Sequence, residues 1–193
     1  MPYQLTKRKR GAMTRKILIA IGSPRKDGNV TILANEFARG AKEAGHEVII
    51  ADVAHKNIAP CKACEYCFTS GGVCVQKDDM QEMYDLLHEC DTLVFASPIY
   101  YYTFTAQIKA FMDRQFCAIG GNPFTIKDCV LLTTFEDKDP SVADSILLTY
   151  RSATAYCKWN NLGEVVQNDC FEKGAIRKFP ETLQKAYELG KSI

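Results

Sequence analysis

The sequence predicts an α/β domain, doubly wound, with a five-stranded parallel sheet in the order 2-1-3-4-5 between two helical layers. Three observations carry that expectation. Apolar runs of strand length alternate five times with stretches of helical periodicity. The first of these runs is nearly continuous and rich in β-branched residues, as a strand buried on both faces is. Each β-α-β step takes a right-handed crossover and leaves its two strands parallel.

The elements follow in chain order. Ile17 to Ile21 forms the first apolar run and stops abruptly at Gly22-Ser23-Pro24. Val30, Leu33, Phe37, Ala38 and Ala41 then recur at helical spacing, so a helix starts near Asn29 and closes at Gly45. Residues 46–53 supply the second strand, and residues 54–79 form a long connection holding four cysteines. A structureless connection of that length in a compact domain is usually functional. Asp79 and Glu82 fit a capping box, and Met80, Met83, Tyr84 and Leu87 make the apolar stripe of a helix over 80–89.

Thr92 to Ala96 is the third strand. The helix after it, about Phe104 to Phe116, turns Ile108, Phe111 and Met112 inward and carries Lys109, Asp113 and Arg114 on a more polar side. Cys129 to Thr134 reads as the fourth strand. Asp139 and Pro140 pair as N-cap and first helical residue of a helix reaching about Lys158, with Val142, Ile146, Tyr150, Ala153 and Cys157 on one face. Leu162 to Gln167 is a short fifth strand, and Pro180 opens a last helix bearing Leu183, Ala186 and Tyr187.

A chain of 193 residues with 47% hydrophobic content suits one buried core, assigned to residues 15–193. Residues 1–14 are read as a flexible basic arm around Lys7, Arg8, Lys9 and Arg10. This arm has no apolar h-region and no following span, so neither a signal peptide nor a membrane anchor is expected and the location is cytoplasmic. A formal charge of +1 without a basic stripe interleaved with aromatics excludes nucleic acid as an implied partner. Nine cysteines without an export signal argue for metal, cluster or buried-thiol roles over a disulfide framework.

In open parallel sheets ligands bind beyond the carboxyl ends of the strands, so the loops at Ser23, Ser97 and Thr133 are expected to converge. The first loop sets backbone N–H groups, the Ser23 and Thr31 hydroxyls and the Arg25 guanidinium around the positive end of a helix, a cradle for a phosphate monoester. It is neither of the glycine-rich dinucleotide and Walker fingerprints. The second loop, Ser97 to Phe104, concentrates tyrosines at a strand mouth, which suits a planar heteroaromatic ring or a subunit interface. In the loop at 59–79, Cys61-x2-Cys64-x2-Cys67-x6-Cys74 has iron-sulfur spacing; zinc and unmetallated thiols are the competing readings.

Gly22-Ser-Pro-Arg-x-x-Gly-Asn29 resembles the phosphate loop of the flavodoxin-like NAD(P)H-dependent FMN reductases. Val30 stands where that loop commonly carries a hydroxyl, and Thr31 supplies one next to it. Ser97-Pro-Ile-Tyr-Tyr101, followed by Gln107-x-Lys-Ala-Phe-x-Asp-Arg114, resembles the same family's ring-binding loop and helix. The resemblance implies FMN held by Ser23, Pro24, Arg25, Asn29, Val30 and Thr31, with its ring along Pro98, Ile99, Tyr100 and Tyr101 and its far edge at Thr133, Thr134, Phe135 and Glu136. Gln107, Lys109, Asp113 and Arg114 are assigned to fold or subunit contacts.

Pro60-Cys-x-x-Cys-x-x-Cys67 with Cys74-Val-x-x-Asp-Asp-Met80 resembles the archaeal iron-sulfur flavoproteins, in which four such cysteines bind a [4Fe-4S] cluster. These resemblances imply an FMN-dependent oxidoreductase passing electrons from NAD(P)H to a second small-molecule acceptor, as a homodimer or larger. The alternatives are an iron-sulfur electron carrier exchanging with ferredoxin and a zinc-stabilised non-enzymatic module. No acid-base dyad or nucleophile triad stands out. Cys90, Cys117, Cys129, Cys157 and Cys170 are read as buried small hydrophobes, and His46, His55 and His88 as surface or half-buried residues.

Overall fold

The structure is a computed structural model describing residues 14–193; the Lys7–Arg10 cluster lies outside the described residues. Five strands, β1 (Lys16–Ile21), β2 (Glu47–Asp52), β3 (Thr92–Pro98), β4 (Asp128–Thr134) and β5 (Asn160–Gln167), form one sheet ordered β2-β1-β3-β4-β5. Every pairing is parallel. The flavodoxin-like doubly wound order follows from the chain reversing its direction of growth between β2 and β3.

Strand side chains alternate between two cores. Ile17, Ile19, Ile21, Val94, Val130, Leu132 and Val165 face one layer, packed by α1 (Asn29–Glu43) and α6 (Pro180–Ser192). Leu18, Ala20, Leu93, Phe95, Cys129 and Leu131 face the other, packed by α3 (Met80–Glu89), α4 (Ala106–Arg114) and α5 (Asp144–Cys157). Burial on both faces explains why the central strands β1, β3 and β4 read as nearly unbroken apolar runs.

Two glycines let α1 and α6 touch. A Cβ on Gly40 would lie 2.0 Å from the Tyr187 carbonyl oxygen, and one on Gly190 would lie 2.1 Å from that of Phe37. Gly45, at φ +92°, ends α1 as the sequence predicts: its amide donates to the Lys42 carbonyl and the His46 amide to that of Ala41. His46 is buried, against the expectation of a surface or half-buried residue. Its Nδ1 accepts from the Arg15 amide at 3.2 Å, and its Nε2 lies 2.7 Å from the Ile193 main-chain oxygen.

Three further expectations are corrected. Asp79 does not cap α3 through its side chain: Asp78 Oδ1 accepts from the Met80 amide at 3.1 Å, while Asp79 Oδ2 takes the Asn57 amide at 2.6 Å. Arg114 is buried, not on a polar face, because it answers Asp78 across the cysteine loop. Cys157 is exposed at the end of α5, whereas Cys90, Cys117, Cys129 and Cys170 are buried as expected.

Candidate functional site

The carboxyl ends of β1, β3, β4 and β5 lie at one edge of the sheet, and a closed circuit of hydrogen bonds joins the loops that leave them. The Gly22 amide donates to the Ala96 carbonyl at 2.8 Å, and Thr105 Oγ1 donates to the Gly22 carbonyl at 2.9 Å. Ser97 Oγ, buried, accepts from the Thr105 amide at 3.2 Å and ties the start of the tyrosine loop to the start of α4. The Ile99 amide reaches the Thr134 carbonyl at 3.1 Å, and the Cys170 amide reaches the Phe135 carbonyl at 2.8 Å. Arg25 Nη1 closes the ring on the Phe171 carbonyl at 2.9 Å.

Asn29 makes the same closure from the first turn of α1. Its Nδ2 donates to the Cys170 and Glu172 carbonyls, both at 2.9 Å, and its Oδ1 accepts from the Ile176 amide at 3.2 Å. The Asn29 side chain is therefore committed to the loop after β5. Gly22 is required here by space: a Cβ would lie 2.1 Å from Ile108 Cγ1.

Inside this ring is a cavity of about 380 Å³, within the size range of small-molecule sites. Ser23, Arg25, Asn29, Val30, Pro98, Ile99, Tyr100, Tyr101, Thr134, Phe135 and Glu136 line it, as the sequence reading requires. Pro24, Thr31 and Thr133 do not. Pro24 is exposed, Thr31 is the half-buried third residue of α1, and Thr133 is buried in the strand. Tyr102, Asp137, Val142, Cys170 and Phe171 also line the cavity and were missed. Parallel pairing of β5 to β4 is the signal that would have found Cys170 and Phe171, since it brings the loop after β5 to the same edge.

The chemistry of the wall is mixed. Gly28 caps α1 without a side-chain hydrogen bond, leaving first-turn amides beside buried Ser23 and the Arg25 guanidinium. A Cβ on Gly28 would lie 2.8 Å from Ser23 Oγ and 3.0 Å from the Arg25 carbonyl oxygen, so only glycine keeps this turn tight. Ile99, Tyr100, Phe135 and Val142 supply apolar surface to the same cavity, and Glu136 and Asp137, also in its lining, are exposed. The Thr133 hydroxyl, one residue before Thr134, is buried without a partner among the described residues. Helix-start amides, a guanidinium and apolar side chains in one lining suit a molecule that joins an anion to a flat apolar body, as FMN does.

Tyr100 to Thr103 forms a tight turn across the mouth, with the Tyr100 amide on the Thr103 carbonyl at 3.0 Å and the reverse bond at 3.2 Å. Tyr101 and Tyr102 occupy φ of +49° and +68°. That left-handed pair is natural for Asn-Gly and costs an L residue with a Cβ roughly 1–2 kcal/mol.

The residues of the chain match the model of the NADPH-dependent FMN reductases over 15–145. This chain belongs to that family. It is 40% identical over 95 residues to an iron-sulfur flavoprotein of Archaeoglobus fulgidus, covering 49% of this chain and 43% of the relative. An iron-sulfur flavoprotein of Methanosarcina thermophila is 37% identical over 100 residues, 52% of each chain. The chain thus spans about half the length of the curated relatives it matches. Among solved structures, an NAD(P)H:quinone oxidoreductase of Methanothermobacter marburgensis superposes with a TM-score of 0.75 at 17% identity, over 92% of this chain and 95% of that one. That likeness is one of fold.

In the cysteine loop, read from its spacing as a cluster site, a zinc site or plain thiols, the four cysteines are not drawn together. Among the described residues no three His, Cys, Asp or Glu side chains are grouped for a metal ion. Cys61 and Cys64 are exposed, Ala63 and Glu65 on either side of Cys64 are left-handed, and Cys67 lies in the short helix α2 (Tyr66–Thr69). Cys74 follows the Gly71-Gly72 turn and packs toward Tyr84 and Arg114. As folded, Cys61, Cys64, Cys67 and Cys74 do not fit a [4Fe-4S] cluster or zinc.

A buried ion pair anchors that loop. Arg114, its side chain fully buried, donates through Nη1 to Asp78 Oδ2 at 2.6 Å, through Nη2 to Oδ1 at 3.1 Å and through Nη1 to the Ala59 carbonyl at 2.9 Å. Asp78 Oδ2 also accepts the Ala59 amide at 3.1 Å. Burial alone pushes the Asp78 carboxyl up, but Arg114 and the Ala59 and Met80 amides outweigh it and hold the group below the usual carboxylate range.

Proposed function

We propose that this cavity binds FMN and that the chain passes electrons from NAD(P)H to a second acceptor. The observation that carries the reading is the convergence of four strand-end loops on one cavity whose lining combines the start of α1, Ser23 and Arg25 with apolar side chains. Ser23, Arg25 and the first-turn amides of α1 would hold the phosphate, and Pro98 to Tyr100 with Thr134 to Glu136 would hold the ring. When bound, FMN supplies hydride acceptance and onward electron transfer.

The residues themselves bind and orient. The hydrogen-bond circuit fixes the loops in advance, so little loop ordering opposes binding. Ile99, Phe135 and Val142 keep water from the inner wall, while the mouth beside Tyr101 stays open to reactants. FMN reconstitution followed by anaerobic addition of NADH or NADPH tests the reading: bleaching of the bound flavin by either supports it, and FMN that stays oxidised with both refutes it. A cytoplasmic, homodimeric enzyme is part of the same proposal.

A second reading, an electron carrier working with ferredoxin, rests on the similarity to proteins named iron-sulfur flavoproteins. It needs a rearranged cysteine loop, and iron and acid-labile sulfide in anaerobically purified protein are its test.

A further inference from the structure

We propose that a second cavity, between α4 and α5, binds an aliphatic carboxylate of medium chain length. It has a volume of about 920 Å³ and shares no lining residue with the first cavity, so the proposal stands apart from the FMN reading. That volume falls within the range of small-molecule sites. The apolar stripe of α5 runs on past the core: Ile146 and Tyr150 are fully buried, whereas Ala153, one turn on, is half-buried and lines the cavity. Phe95, Met112, Phe124 and Trp159 line it with Ala153, and Phe116, also in the lining, is 47% exposed. Along α5 the lining runs from Thr149 to Cys157, roughly 12 Å at about 1.5 Å per residue. A slot of that length between two helices suits an extended chain better than a single ring.

The polar groups of the lining decide the charge of the occupant. The Thr149 and Thr154 hydroxyls donate to the Ser145 and Arg151 carbonyls at 2.8 and 3.0 Å, within their own helix, and Asp113 is held by Lys109. Two donors are left over. Gln115 Nε2 is buried with no hydrogen-bond partner, and the Lys158 ammonium enters no ion pair, both among the described residues. Lys109 and Lys158 against Asp113 leave the lining with an excess of positive charge. A buried unmatched donor is stabilised by an acceptor oxygen, and an ammonium most of all by an anionic one. An apolar slot with free donors and a net cation therefore recognises an apolar chain that ends in a carboxylate.

Trp159 is the only tryptophan of the chain, so its fluorescence reports on this cavity. The experiment titrates the full chain with decanoate and with decanol, which has the same carbon chain without the charge. Decanoate is expected to change the Trp159 emission to saturation and to bind about tenfold more tightly than decanol, the size of a charge-assisted hydrogen bond. Lys158 is left-handed, at φ +57°, a conformation that Asn tolerates, so Lys158→Asn removes the charge without straining the turn. It is expected to weaken decanoate about tenfold and to leave decanol within about twofold of wild type. Ala153→Phe fills the slot and is expected to abolish binding of both, with Tm within a few degrees of wild type; where it unfolds the chain, the Lys158→Asn comparison decides. An unchanged Trp159 emission on adding decanoate overturns the proposal. So does a response equal in wild type and both variants, which marks adsorption at the surface. A wild-type dimer that binds no decanoate and that Ala153→Phe splits, seen by sedimentation velocity, assigns the groove to a second copy of the chain and overturns it as well.

Discussion

Replacing Asp78 by Asn removes the charge that answers Arg114 while keeping the shape of the side chain. The guanidinium is fully buried and has no other carboxylate among its hydrogen-bond partners, so it is left as an uncompensated charge. Breaking one partner of such a pair costs about 3–5 kcal/mol. At about 2–4 °C per kcal/mol for a domain of this size, Tm is expected to fall by roughly 6–20 °C. Guanidinium denaturation at pH 7, with the midpoint and slope fitted together, measures it. Adding Arg114→Met removes the stranded charge and is expected to return most of the loss, to within about 1–2 kcal/mol of wild type. The pH dependence has a definite sign. Asp78 titrates below its unfolded value of about 3.9, so its contribution is complete above that pH and is lost as pH falls through the lower native value. Asp78→Asn is therefore expected to flatten the acid limb of the stability profile. A loss under about 1 kcal/mol at pH 7, the size of an exposed pair, would refute the anchoring role.

Other substitutions probe the cavity and the loop. Arg25→Ala should weaken FMN binding by about 1.5–3 kcal/mol, the size of a charge-assisted hydrogen bond, and equilibrium titration of flavin fluorescence reads it. Asn29→Ala removes three hydrogen bonds to the loop after β5 and should cost roughly 2–4 kcal/mol of stability at about 1 kcal/mol each; denaturant unfolding is the check. Gly28→Ala forces Ser23 to move and should lower FMN affinity with a smaller change in Tm, seen by pairing titration with a melt. Cys64→Ser, at an exposed thiol, should shift stability by less than about 0.5 kcal/mol and leave FMN bound; loss of the flavin would make the cysteine loop part of the pocket.

The legible part of this protein is what periodicity encodes. Ile17 to Ile21 announces a strand buried on two sides because both layers need its side chains, and Gly45 announces a helix end because the chain turns at a φ only glycine adopts freely. The loops at Ser23 and Ser97 were legible for a different reason: their residues are ill-suited to a core. What stayed hidden depends on contacts across the chain. Arg114 reads as a polar helix residue until Asp78, 36 positions earlier, is found beside it. Asn29 reads as a phosphate ligand until the loop after β5 claims its amide. Spacing gave the cysteines a cluster geometry, but left-handed Ala63 and Glu65 set the direction of that loop, and no periodicity reports them.

The most direct test of the central claim is the FMN content of the chain after reconstitution and removal of free flavin, repeated with Gly28→Ala and Arg25→Ala. One FMN per wild-type chain, with weakened retention in both variants, is the expected result. A wild-type chain that retains no flavin, or variants that retain it as tightly as wild type, would contradict the assignment of this cavity.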